Sequence, residues 1–147
     1  FVQSWKMLDV LYFADSLGGM DGGDVVRIIS ALKLNWIGEV GFHAHNNKGL
    51  AVSNTLVAIE NGATWVDSTI LGMGRGAGNA QTENLLLELE KKYQLDYRVS
   101  ALLDFESDNL LLNSSKFCKE YRIIFKIWTN DPCPQSCPKQ LKNNLHD

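Results

Sequence analysis

The stretch GFHAHNNKGL (41–50) sets two imidazoles one residue apart at the end of an apolar run. Alternate residues of a strand share a face, so His43 and His45 would stand about 7 Å apart at ~3.3 Å per residue, with Phe42 and Ala44 turned the other way into a core. Two such imidazoles can grip one divalent cation, or can stand as hydrated or hydrogen-bonded histidines where a strand meets water. Asn46 and Asn47 follow as candidates for orienting the rings, and Gly49 lets the backbone turn into a helix. Two nitrogens do not complete a cation site, so oxygen donors must come from elsewhere.

A second chemical stretch is GMGRGAGNAQTE (72–83). Gly72, Gly74 and Ala77 fit a relaxed G-x-G-x-x-A dinucleotide pattern, but the acidic residue expected after a following strand is not evident. Two other readings stay open. The glycines could fold the loop against a neighbouring strand end and deliver Asn79 and Arg75 to a shared site. Asn79 could instead simply cap the next helix, with Thr82 and Glu83 in its first turn. A third stretch, DVLYFADS (9–16), ends on Asp15 and Ser16.

These residues need elements to position them. DVLYFADS, EVGFHAH (39–45) and TWVDST (64–69) have the branched, aromatic and small residues of buried strands. A helix after the first is capped by Asp21, with Asp24 completing a capping box and Val25, Ile28, Ile29 and Leu32 at helical spacing. A second runs from about Gly49 to Glu60 and stops at Asn61 and Gly62; a third opens near Asn79 with Leu85, Leu86 and Leu89 inward. Three βα units in succession imply an α/β fold with a parallel sheet. Doubly wound sheets and (β/α)8 barrels share this pattern, and both place chemistry at the carboxyl ends of strands, where every unusual polar residue here falls.

Composition narrows the functions. The chain has 147 residues, 45% hydrophobic, with a formal net charge of −3 from interspersed charges. No basic stripe suited to nucleic acid, no membrane-length apolar segment and no signal peptide is present, so the expected location is the cytoplasm. The three cysteines all lie in the last third, and their odd number argues against a disulfide framework. We expect three parts: residues 1–93 as βα units, 94–128 as a helical C-terminal segment, and 129–147, which holds all three prolines, as an irregular tail. The first residue, Phe1, suggests an internal piece of something longer.

From residue 8 to about 90, with its His-x-His-Asn and Ala-Gly-Asn segments at this separation, the chain resembles the pyruvate carboxyltransferase-like (HMGL-like) metallolyases. This family includes 4-hydroxy-2-oxovalerate aldolase, hydroxymethylglutaryl-CoA lyase and 2-isopropylmalate synthase. The glycine loop is nearer in wording to the 4-hydroxy-2-oxoacid aldolases, and it lacks the cysteine of hydroxymethylglutaryl-CoA lyases. The resemblance implies a partial (β/α)8 TIM barrel, roughly its second half, with an irregular C-terminal extension. It implies a divalent ion, Mn2+ or Mg2+ with Zn2+ or Co2+ as alternatives, held by His43, His45 and Asn79. Ser16 would meet the carboxylate of a small 2-oxo acid, with Asp15 in support and Arg75 on the glycine loop. The family's Arg-Asp signature, carried on its first strand, has no counterpart before residue 8, so the catalytic base is unassigned and the fragment is expected to lack part of its active site. The implied function is a metal-dependent aldolase acting through a metal-stabilised enolate. The alternatives are an acyl-CoA condensing synthase of the isopropylmalate or homocitrate type, and an inactive fragment that only binds metal or self-associates. A homo-oligomer or a missing N-terminal half-barrel are the macromolecular partners expected.

Overall fold

In the computed structural model, residues 8–94, 99–100 and 103–104 are described, together with the backbone of 122–126. Three strands, β1 (Val10–Asp15), β2 (Glu39–Ala44) and β3 (Trp65–Thr69), alternate with three helices, α1 (Gly22–Asn35), α2 (Ala51–Glu60) and α3 (Thr82–Tyr93). β1 pairs with β2 and β2 with β3, both parallel, as βα connections require. β1 lies in full register along β2, from Val10 opposite Glu39 to Asp15 opposite Ala44. The β2–β3 ladder is much shorter, pairing only Gly41 with Trp65 and Phe42 with Val66.

The alternation along β2 sorts its side chains. Phe42 and Ala44 are buried against Val25 and Ile29 of α1 and Ala51 and Ala58 of α2. Phe13 of β1 joins this layer, its ring 4.7 Å from that of Phe42. A second cluster unites Ile59, Val66, Leu85 and Leu89, fastening α3 to β3. Burying these aliphatic and aromatic side chains is the main drive for docking the helices. Gly41, His43 and Asp67 are thereby left to the opposite face of the sheet.

Local signals act where expected at two of the helices. Asp21 caps α1 by accepting from the Asp24 amide, and the Asp24 carboxylate accepts from the Asp21 amide in return. α2 ends with Asn61 at its C-cap and Gly62 at φ +100°. α3 differs from the sequence reading: it starts at Thr82, its N-cap is Gln81 without a side-chain cap bond, and Asn79 therefore does not cap it. Leu85, Leu86 and Leu89 are buried as anticipated.

The segment 94–128, expected to be helical, is mixed. Val99–Ser100 and Leu103–Asp104 are helical, whereas β4 (Arg122–Lys126) is a strand running antiparallel to β3, with Lys126 opposite Trp65 and Arg122 opposite Thr69. RIIFK is rich in β-branched and aromatic residues, and the free edge of β3 offers it hydrogen bonds that a helix of five residues could not match. The sheet is thus four-stranded in the order β1-β2-β3-β4, parallel only over its first three strands. The tail 129–147 and Cys118 lie outside the described residues. No helix among the described residues is long and apolar enough to cross a membrane.

Candidate functional site

β2 and β3 part company above Phe42 and Val66, and the gap between them is filled by the end of the glycine loop. The Ala80 amide donates to the Ala44 carbonyl at 3.1 Å, and the Thr69 amide donates to the Ala80 carbonyl at 3.0 Å. The Asn46 amide donates to the Gly78 carbonyl at 2.9 Å. His45 and Asn79 are consequently opposed across an antiparallel bridge, an arrangement that turns both side chains to one face. His43, two residues before His45, shares that face, and the two imidazoles meet edge to face with centroids 5.0 Å apart. Of the readings open for this loop, the geometry selects the one in which the glycines fold it against a neighbouring strand end.

Glycine is what lets the loop enter. Gly78 has φ +85°, and a Cβ there would fall 1.9 Å from the Gly72 carbonyl oxygen. The loop doubles back so tightly that the Asn79 amide donates to Gly72 and its side-chain Nδ2 donates to the Met73 carbonyl, both at 2.9 Å. The carboxamide oxygen of Asn79 is different: it is buried and without a hydrogen-bond partner. Such an orphan acceptor costs on the order of 1–3 kcal/mol unless something else satisfies it.

His43 is held from β3. Its Nδ1 lies 2.5 Å from Oδ1 of Asp67, whose side chain is fully buried while that of His43 remains 19% exposed. Asp67 was not singled out in the sequence, although an acid in the middle of the buried strand TWVDST was a usable signal, since a buried charge demands a partner. Asn46, expected to orient a histidine, instead accepts a hydrogen bond from the Ala51 amide at 3.1 Å and so stabilises the start of α2. Asn47 faces the neighbouring loops and is exposed.

The loop after β1 completes the rim. Asp15 is buried, with Oδ1 accepting from the Gly19 amide and Oδ2 from the Met20 amide, each at 2.9 Å. Both carboxylate oxygens are thus engaged in shaping the turn, which leaves Ser16 exposed at its apex. The turn sits tightly on the histidine loop: a Cβ on Gly18, at φ +57°, would lie 2.6 Å from the Asn47 amide nitrogen. Lys48 Nζ donates to the Gly19 carbonyl, tying the same two loops together. Arg75 is exposed in the glycine loop.

The structure therefore gathers His43, His45 and Asn79 on one face, puts Ser16 and Arg75 on exposed loops around it, and commits Asp15 to its own turn. Among the described residues, no group of three or more His, Cys, Asp or Glu side chains is arranged to hold a metal ion. The donor set is instead two imidazoles and a carboxamide. It fits a cation through the unpartnered Asn79 oxygen and through Nε2 of His43, the ring nitrogen turned away from Asp67.

Comparison with known proteins follows the same residues. A 4-hydroxy-2-oxovalerate aldolase of Carboxydothermus hydrogenoformans is 55% identical over 83 residues, which cover 56% of this chain and 25% of that enzyme. The namesake from Pelotomaculum thermopropionicum is 48% identical over 97 residues, covering 65% of this chain and 29% of its own length. In structure, the N-terminal domain of a candidate aldolase from Bacteroides vulgatus superimposes with a TM-score of 0.65 at 35% identity, covering 71% of this chain and 36% of that one. An HMG-CoA lyase from Acinetobacter baumannii gives 0.60 at 29% identity, covering 74% of this chain and 40% of that one. The chain thus spans about a quarter of the length of these curated relatives. The HMGL-like family model matches residues 8–108, from the first strand through all three candidate ligands, and the chain belongs to the HMGL-like family.

Proposed function

We propose that this chain carries the divalent-metal and 2-oxo-acid-binding part of an aldolase that cleaves or forms a carbon–carbon bond in a 4-hydroxy-2-oxo acid. The observation that carries the reading is the buried, unpartnered Oδ1 of Asn79, on a residue bridged to His45 and sharing a face with His43. A cation there relieves the orphaned oxygen and finds two imidazoles at hand. Nitrogen and neutral oxygen donors suit Mn2+ or Mg2+, with Zn2+ or Co2+ as alternatives. The likeness to 4-hydroxy-2-oxovalerate aldolases supports the substrate class.

When bound, the ion supplies Lewis acidity toward the 2-oxo group and the enolate charge that grows as the bond breaks. This chain's own residues orient the substrate. Ser16, exposed after β1, offers its hydroxyl to the substrate carboxylate, and Arg75 offers a guanidinium from the opposite loop. Asp15 acts indirectly by holding the turn that presents Ser16. No residue of this chain is assigned as the base that takes the hydroxyl proton. In this reading the sheet is an arc of a (β/α)8 barrel. β1 lies at the end of the strand order, where a further strand from a longer chain or a second copy would continue it.

Calorimetric titration of the chain with Mn2+ tests the site directly. The wild type is expected to bind one ion, and the His43→Ala and His45→Ala variants to lose at least about 10-fold in affinity. In parallel, pyruvate release from 4-hydroxy-2-oxovalerate tests the reaction, and acetyl-CoA-dependent thiol release would point to the condensing synthases instead. Unchanged Mn2+ binding by the doubly substituted His43→Ala/His45→Ala protein would overturn the assignment.

A further inference from the structure

Asp67 is a charged side chain in the interior of the sheet, and the exposed rim does not use it. Its side chain is fully buried, its Oδ1 lies 2.5 Å from Nδ1 of His43, and the two residues reach each other from adjacent strands on the same face. A buried carboxylate can only accept, so the nitrogen it faces must carry the proton. In a neutral imidazole that leaves the lone pair on the other nitrogen. We infer that Asp67 is a positioning residue: it locks His43 in the tautomer protonated on Nδ1 and presents an unprotonated Nε2 to the space shared with His45 and Asn79.

Several features set this contact apart from an ordinary salt bridge. His45 bridges through its backbone to a loop residue and meets the His43 ring edge to face, whereas the His43 ring is in addition anchored at one nitrogen from the core. β3 is fastened to α3 at two points on one face: Val66 is buried against Leu85 and Leu89, and the Ser68 hydroxyl hydrogen-bonds that of Thr82 at 2.8 Å. Asp67 therefore stands on a strand fastened to α3, and the His43 ring cannot swing toward solvent without giving up its 2.5 Å contact to a fully buried carboxylate. The orientation of His43 is built into the metal-free protein.

The inference rests on the metal-site reading for its purpose but not for its test, which is made without metal. With 15N-labelled histidine in the full chain, long-range 1H–15N spectra above the imidazole titration range report the tautomer of each of the three histidines. A His43→Gln variant assigns the signal. The expected result is a protonated Nδ1 and an unprotonated Nε2 for His43 in the wild type. In Asp67→Asn, whose amide can donate as well as accept, the opposite tautomer is expected to become populated, with Mn2+ affinity down by about 10–100-fold. Finding His43 protonated on Nε2 in the wild type, which needs no variant to fold, would overturn the inference, as would an Asp67→Asn protein with tautomer and affinity both unchanged. Wild-type protein with the expected tautomer but no Mn2+ binding would sink the proposed function alone and leave this role of Asp67 standing.

Discussion

The Ala80 amide donates to the Ala44 carbonyl at 3.1 Å, joining the end of β2 to a loop that follows it by more than thirty residues in the chain. This hydrogen bond, with its counterpart from Thr69, makes residues 78–81 a short wedge between two strands that have ceased to pair. The wedge is what brings Asn79 level with His45. The site is therefore a property of the sheet's splayed end, and its weak points are the residues that keep the wedge in place.

Gly78→Ala strikes that wedge. An L side chain at φ +85° is strained by roughly 1–2 kcal/mol, and its Cβ would also collide with the Gly72 carbonyl. We expect Mn2+ binding to be lost while the far-ultraviolet helical signal is retained, because α1, α2 and α3 dock mainly through residues outside the wedge, of which Ala80 alone joins the core cluster around Phe42. Full retention of binding would show that the loop does not position Asn79.

Asn79→Ala separates stability from function. The substitution removes the Nδ2 hydrogen bond to Met73, worth about 1 kcal/mol, but also removes the orphaned acceptor, so the two changes nearly cancel. Urea denaturation is expected to show a change within about 1 kcal/mol, and titration a loss of Mn2+ affinity of about 10-fold or more. A large destabilisation with normal ion binding would contradict the assignment of Asn79 as a ligand.

Core substitutions should behave in the opposite way. Phe42 is fully buried between α1, α2 and β1, so Phe42→Ala is expected to cost about 3–5 kcal/mol; Leu89→Ala, which loosens α3 from β3, should cost about 2–5 kcal/mol. Chemical denaturation midpoints check both. A cost below about 1 kcal/mol at either position would mean that the helix concerned is not docked as described.

The α1 cap carries a pH signature. The hydrogen bond from Arg27, and then the one with the Asp21 amide, hold the Asp24 carboxyl below its ordinary value. Because the folded pKa is depressed, the contribution is fully present above the ordinary carboxylate range and is lost as pH falls through the lowered value. Asp24→Asn should flatten that part of the acid limb of a stability–pH curve, measured by thermal melts at matched ionic strength. Superimposable curves for the two proteins would remove Asp24 from the account.

The βα rhythm was legible because its signals are local. Strand-like runs at 9–16, 39–45 and 64–69, the Asp21–Asp24 capping box and the Asn61–Gly62 stop act over a few residues and survive in the folded protein within a residue or two. The pairing of His43 with His45 was legible for the same reason, since a period of two is a property of the strand itself. β4 was missed because RIIFK becomes a strand through the open edge of β3, which no local pattern announces.

What the sequence by itself determined is the alternation of elements, the shared face of the two histidines and the family resemblance carried by their motifs. Only the tertiary structure decided that Asn79 faces His45 and does not cap α3, that Asp67 and not Asn46 or Asn47 anchors His43, and that Asp15 is consumed by its own turn. The physical reason is that each of these contacts depends on register and on where two strands diverge. Those are set by the packing of whole helices on the sheet, and a side chain's choice between two nearby partners is settled only once that packing has brought one of them within hydrogen-bonding distance.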